Sequence, residues 1–227
     1  MKKIIIVLLV LTNLQMMAQE KMQPLVTVMG EGTVKVVPDE VTIHVSVETQ
    51  GKKALDVKTE NDRSVDAVVQ FLKKSGIDSK DVQTQQVRLN KNYDYNTKTY
   101  SYNATQSITI LLKNIASYDK IIAGLMDSGI NRIDGINFGS SKMEALKSEA
   151  RQNAIRDAKM KATEYSGVLN QTIGKAVQIT ELGQTPPMPL QRYKVMSMAE
   201  GDLGGGETLA VGEMTIKAQI NVSFELL

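Results

Sequence analysis

The sequence predicts an α+β fold in which long amphipathic helices pack on a sheet and one long β-hairpin protrudes. Apolar residues alternate at period two in some stretches and recur at i, i+3, i+4, i+7 in others. In the segment "YDYNTKTYSY" a single hairpin register also pairs four tyrosines.

"PLVTVMGEGTVKVVPDEVTIHVSVETQG" reads as two strands broken at Pro38 and Asp39. In the second, Val41, Ile43, Val45 and Val47 alternate with Thr42, His44, Ser46 and Glu48, the pattern of a strand with one buried face. Gly30 and Gly32 lack the third glycine and the following helix of a dinucleotide loop, so "GEG" is expected to mark a bend or bulge. Between Gly51 and Ser75 the period lengthens. Val65, Val68, Val69 and Leu72 form a helical stripe that Gly76 ends, and "KTENDR" at its start is expected to be a solvated face.

The hairpin follows. Val87, Leu89, Tyr93 and Tyr95 hold odd positions, and Tyr100, Tyr102, Ala104, Ile108, Ile110 and Leu112 even ones. With a turn at Asn96 to Thr99, Tyr95 faces Tyr100, Tyr93 faces Tyr102 and Val87 faces Ile108. All four tyrosines then share the core face. Strands of about twelve residues would reach roughly 40 Å, carrying the tip past the helix layer.

A short helix is expected from about Ile115 to Asp127, capped by Asn114 and striped by Ile115, Tyr118, Ile122 and Leu125. "INRIDGINFG" supplies a strand, and Ser141 with Glu144 makes a capping-box pattern that opens the longest helix. Met143, Leu146, Ala150, Ala154, Ala158, Ala162, Tyr165 and Leu169 share one of its faces, and the alanines permit close packing. Asp157 and Lys161 form an i, i+4 pair on the wet side, worth about 0.2 to 0.5 kcal/mol. "KAVQITEL" is another strand, residues 183–207 are an irregular Pro/Gly-rich segment, and the alternation from Met214 to Leu226 predicts a long, central final strand.

The chain opens MKKIIIVLLVLTNLQMMAQ, the plan of a signal peptide whose apolar core is too short to span a bilayer of about 30 Å. Cleavage is expected near Ala18, which leaves residues 19–227 as one domain with no transmembrane segment, periplasmic or otherwise exported. Removing Lys2 and Lys3 leaves 25 basic residues against 25 acidic ones. That balance argues against nucleic-acid binding. Without cysteine, an exported chain must rely on packing rather than disulfides.

No catalytic set emerges. His44 is the single histidine and lies on the polar face of its strand, so zinc sites of the usual kind and Ser-His or Cys chemistry are excluded within one chain. Ser117 and Lys120 match S-x-x-K, but the companion motifs are missing and the serine falls in a first helical turn. Met188, Met196 and Met198 form a speculative Cu(I) set of thioethers; otherwise no metal or cofactor is expected.

The ordered pieces "VTVMGEGTVKVVPDEVTI", "SGIDSKDVQT", "YSYNATQSITI", "GINRIDGINF", "EARQNAIRDAKMKATEYSGVL" with "IGK", and "VGEMTIKAQINVSFEL" resemble the SIMPL-domain family of bacterial periplasmic proteins, from about Leu25 to Leu227. The resemblance implies long helices on a mainly antiparallel sheet, export, an ability of at least some members to form large homo-oligomers, and a loose link to envelope and oxidative stress. It implies no enzymatic reaction and carries over no catalytic residues. Two functions follow as expectations. One is self-assembly through Tyr93, Tyr95, Tyr100 and Tyr102. The other is a module binding a peptide, glycan or metal with the tyrosine hairpin or the Pro/Met segment.

Overall fold

The computed structural model describes residues 23–183, 188–189 and 211–227. The signal-peptide stretch 1–18, Met196 and Met198 lie outside the described residues, and at Met188 only the backbone is described. The chain divides into two compact units, one from residues 34–146 and 186–216, the other from 1–33, 147–185 and 217–227.

The first unit holds β2 (Glu40–Gly51), α1 (Ala54–Lys74), β3 (Val82–Thr84), β4 (Arg88–Asp94), β5 (Thr99–Leu112), α2 (Tyr118–Asp127) and β6 (Arg132–Gly139). β5 pairs antiparallel with β2, β3 and β4, and β2 also pairs antiparallel with β6. Odd residues of β2 and even residues of β5 face inward. Val41, Ile43, Val45, Ile108, Ile110 and Leu112 pack there with Val65, Val68 and Leu72 of α1 and Ile121 and Leu125 of α2. Each such side chain contributes about 1.5 to 3 kcal/mol of gross burial energy. Gly76, at φ +82°, stops α1 as expected.

Two expectations for this unit need correction. "KTENDR" is not wholly solvated, because Asn61 is buried and its Nδ2 donates to Val47 O at 3.0 Å and Thr49 Oγ1 at 3.2 Å. Ahead of the longest helix, the Ser141 hydroxyl donates to Asp39 Oδ2 at 2.5 Å, while the Ser141 amide donates to Asp39 Oδ1. Both bonds favour the charged carboxylate and hold Asp39 below its usual range. The hairpin is also built differently. Asp94 Oδ1 accepts from the Asn96 amide at 2.8 Å, closing the turn one residue early at 95–98, with Lys98 left-handed at φ 55°. Tyr93 therefore faces Tyr100 and Lys91 faces Tyr102; Tyr93, Tyr100 and Tyr102 keep their expected face, whereas Tyr95, expected opposite Tyr100, lies in the turn.

The outgoing strand is interrupted as well. Thr84 opposes Ile108 and Arg88 opposes Thr105, so residues 85–87 stand against only 106–107. This extra residue is a bulge that ends the odd-position stripe, leaving Thr84 where Val87 was expected. β4 is consequently 7 residues long beside a β5 of 14.

The second unit contains most of β1 (Leu25–Val36), α3 (Met143–Val168) and β9 (Met214–Leu226), together with β7 (Ile173–Glu181). The strand order is β1-β9-β7, which places the final strand centrally as expected; the short β8 (Met188–Pro189) pairs with the first residues of β9. α3 buries Ala150, Ala154, Ala158, Ala162 and Ser166. Tyr165 and Leu169, expected on that face, are exposed: the row holds its four-residue spacing to the end, and Ser166 takes the place.

Small residues on α3 meet small residues on β1. A Cβ added to Gly30 would lie 1.9 Å from Ala154 O, and one on Gly32 would lie 1.9 Å from Ala150 O. "GEG" is thus a site of close helix approach within a continuous 12-residue strand. Between the two glycines, the Glu31 amide donates to Asp157 Oδ2 at 2.8 Å. Lys161 Nζ donates to Met29 O at 3.0 Å and pairs with Asp157 at 2.7 Å.

The Lys161 ammonium and the Glu31 amide both favour ionised Asp157 and lower its pKa from the ordinary 3.8. A lowered folded value means that the stabilisation is complete above the unfolded pKa and disappears as pH falls through the folded one. Asp157→Asn is expected to lower stability by about 1 kcal/mol at neutral pH. In urea titrations, the difference from wild type should begin to shrink as pH falls past about 3.8, the unfolded value, and vanish only below the lowered folded one.

Candidate functional site

The tyrosines occupy the outer end of the hairpin. β2 ends at Gly51 opposite Tyr102, so from that point outward β4 and β5 pair only with each other. The overhang, from Asn92↔Ser101 to Asp94↔Thr99, spans about 10 Å before the turn, much shorter than the expected reach. The Tyr93 and Tyr100 rings lie 4.9 Å apart, and Tyr95 meets Tyr93 edge-on at 5.0 Å. Lys91 Nζ sits 3.9 Å from the centre of the Tyr100 ring. Tyr102 is half-buried, whereas Tyr93, Tyr95 and Tyr100 are 40, 84 and 55% exposed. The core stripe runs on past the described residues that cover it further in.

The opposite face of the same sheet carries a second feature, which periodicity alone assigned to solvent. A cleft of about 630 Å³ lies over His44 and Ser46 of β2, Ser107 and Thr109 of β5, and Asp134 and Asn137 of β6. Arg88 and Asn90 of β4 line it too. His44 Nδ1 is 3.1 Å from Thr109 Oγ1. Ser46, buried, donates its hydroxyl proton to Asp134 Oδ2, so Ser107, at 3.0 Å, donates to Ser46. Arg132 Nε reaches Asp134 Oδ1 at 2.6 Å, and its Nη1 contacts Glu48. The hydrogen bond to Glu48 and the two acidic charges raise the Arg132 pKa above its usual value.

Asp134 owes this position to a β-bulge. His44 opposes Gly135 but Val45 opposes Ile133, so Asp134 is the extra residue and is turned onto the face of Ser46. A sequence signal was present. Thr42, His44 and Ser46 on β2, and Thr105, Ser107 and Thr109 on β5, are short and mostly hydroxylic where an open face commonly carries lysine and glutamate.

Among the described residues no group of three or more His, Asp or Glu could hold a metal ion, and no helix is long and apolar enough to cross a membrane. Ser117 lies half-buried where α2 begins and Lys120 is exposed.

Helices on antiparallel sheets, in two units built from interleaved stretches of chain, define the α+β class to which this protein belongs. The chain is a member of the SIMPL family, described as a protein of unknown function (DUF541), whose profile matches residues 26–224. It is 29% identical over 210 residues to the 26 kDa periplasmic immunogenic protein of Brucella melitensis, covering 88% of this chain and 84% of that one. It is 24% identical over 207 residues to the uncharacterized protein YggE of Escherichia coli K12, covering 89% and 83%. The YggE of Edwardsiella ictaluri is likewise 24% identical over 208 residues, covering 89% and 87%.

Proposed function

We propose that this is an exported, non-catalytic envelope protein that self-assembles through the tyrosine-bearing end of the β4–β5 hairpin. The observation that carries the reading is the exposed, mutually packed group Tyr93, Tyr95 and Tyr100, continuous with a buried core stripe. Tyrosine is enriched in interfaces because it combines a large apolar ring with a hydroxyl that tolerates a wet rim. A second copy covering the three rings would remove from water an aromatic surface that the described residues leave open. Export is supported by the N-terminal pattern and by a relative named as periplasmic. A role under oxidative stress belongs to the same proposal and has the family resemblance as its support.

Light scattering on residues 19–227 tests the assembly. The wild-type protein is expected as a particle several times the monomer mass. The combined Tyr93→Ser, Tyr95→Ser, Tyr100→Ser and Tyr102→Ser variant is expected to be monomeric with an unchanged circular dichroism spectrum. A monomeric wild type, or a variant that assembles as well as wild type, would overturn the proposal.

A further inference from the structure

We propose that the polar cleft over β2, β5 and β6 binds a small zwitterionic peptide, with the ligand carboxylate on Arg88 and its ammonium on Asp134. Three independent features surround this one cavity. The bulge at residues 85–87 re-aims the chain leading into the Arg88 wall. The bulge in β6 turns Asp134 onto the opposite side. Bulges that redirect side chains are concentrated next to functional sites. Between them, Gly135 faces His44, and a Cβ placed there would meet nothing within 4 Å. Its φ is not left-handed, so neither packing nor backbone conformation calls for glycine. What the missing side chain does is leave the cleft open beside His44, on the strand that carries the Asp134 wall.

The charges are arranged to match a dipolar ligand. Arg88 has no acidic partner among the described residues. On the far wall one guanidinium, Arg132, serves two carboxylates, Glu48 and Asp134, which leaves that wall with an excess negative charge. Asp134 uses one oxygen on Arg132 and the other on Ser46, and its remaining lone pairs can accept from an ammonium. The floor between the walls offers hydroxyls and amides able to donate or accept, as a peptide group requires.

Size agrees with charge. β4, β5, β2 and β6 are successive neighbours, so the walls stand about 14 Å apart backbone to backbone. Side chains reaching inward narrow this gap toward the roughly 7 to 10 Å of an extended di- or tripeptide. The volume of about 630 Å³ falls within the range of ligand sites. Among the described residues the cleft lining contains no Phe, Tyr or Trp ring on which a sugar could stack, only the imidazole of His44, which is engaged with Thr109.

Calorimetric titration with trialanine tests the assignment, with N-acetyl-trialanine, trialanine amide and glucose as comparison probes. Saturable binding of trialanine is expected, with each blocked peptide and the Arg88→Gln variant weaker by roughly ten-fold or more. Gly135→Leu, which fills the cleft beside His44, should abolish binding while leaving the circular dichroism spectrum unchanged. The four-tyrosine variant should bind as wild type, so failure of the assembly proposal and failure of this one are separable. Absence of saturable binding into the millimolar range, equal affinity for the blocked peptides, or binding of glucose in preference to trialanine would overturn the proposal.

Discussion

Replacing Gly30 or Gly32 with alanine is expected to destabilise the protein by about 3 kcal/mol in either case, the upper end of the usual cost of overpacking. The new methyl group would fall 1.9 Å from a helix carbonyl oxygen, Ala154 O or Ala150 O, with a helix amide nitrogen within 2.7 Å. Backbone atoms cannot rotate aside as the end of a long side chain can. The helix must move outward, and that movement would loosen the row of Ala150, Ala154, Ala158 and Ala162 whose burial depends on close approach. Thermal unfolding should show the melting temperature falling by about 6 to 12 °C, against almost no change for Gly135→Ala, where the methyl group enters open space. Equal effects at Gly30 and Gly135 would show that the strand tolerates the methyl group and that α3 can shift freely.

Asn61→Ala is expected to cost about 2 to 3 kcal/mol, combining a lost buried side chain with a stranded acceptor. Asn61 Nδ2 bonds to Val47 O and Thr49 Oγ1, with Ala104 O at 3.5 Å, and so ties α1 to both strands just inside the point where the hairpin leaves the sheet. Removing it exposes no new surface on the tyrosines but loosens their base. Urea titration would give the stability loss, and hydrogen exchange should quicken first at residues 49–51 and 102–104. Asp62→Ala, which breaks only the exposed pair with Lys58, should change stability by less than about 0.5 kcal/mol. Comparable losses for the two variants would contradict a special role for the buried amide.

Asn61 also marks where sequence reasoning stopped. Period-two and period-3.6 patterns place strands and helices correctly because they report which face is buried, a property of each segment separately. They are blind to a polar residue buried for the sake of another segment's backbone, and "KTENDR" looks solvated until β2 and β5 are in place. The hairpin shows the same division. Parity placed Tyr93, Tyr95, Tyr100 and Tyr102 on one face, but the pairing depended on Asp94 capping the turn and was read one step too far out. "GEG" was read as a local bend when its cause lies more than a hundred residues away, at Ala150 and Ala154. The cleft was harder still to anticipate. Its walls are brought together by two bulges, and a single inserted residue leaves almost no trace in hydrophobic periodicity.

Asp157 and Lys161 have a consequence for how copies of this chain can grow. β1 is an outer strand of its sheet, and on the side away from β9 it presents the Glu31 N–H and the Met29 C=O. Such a row would ordinarily template an added strand from another molecule. Here a carboxylate and an ammonium from the chain's own helix occupy donor and acceptor together, an imitation of the strand that would otherwise dock. Sheet extension is hindered at the middle of this margin, where these two groups are already taken. Association of copies through side chains, as at the tyrosine end of the hairpin, then meets no competition from strand addition at this point of β1.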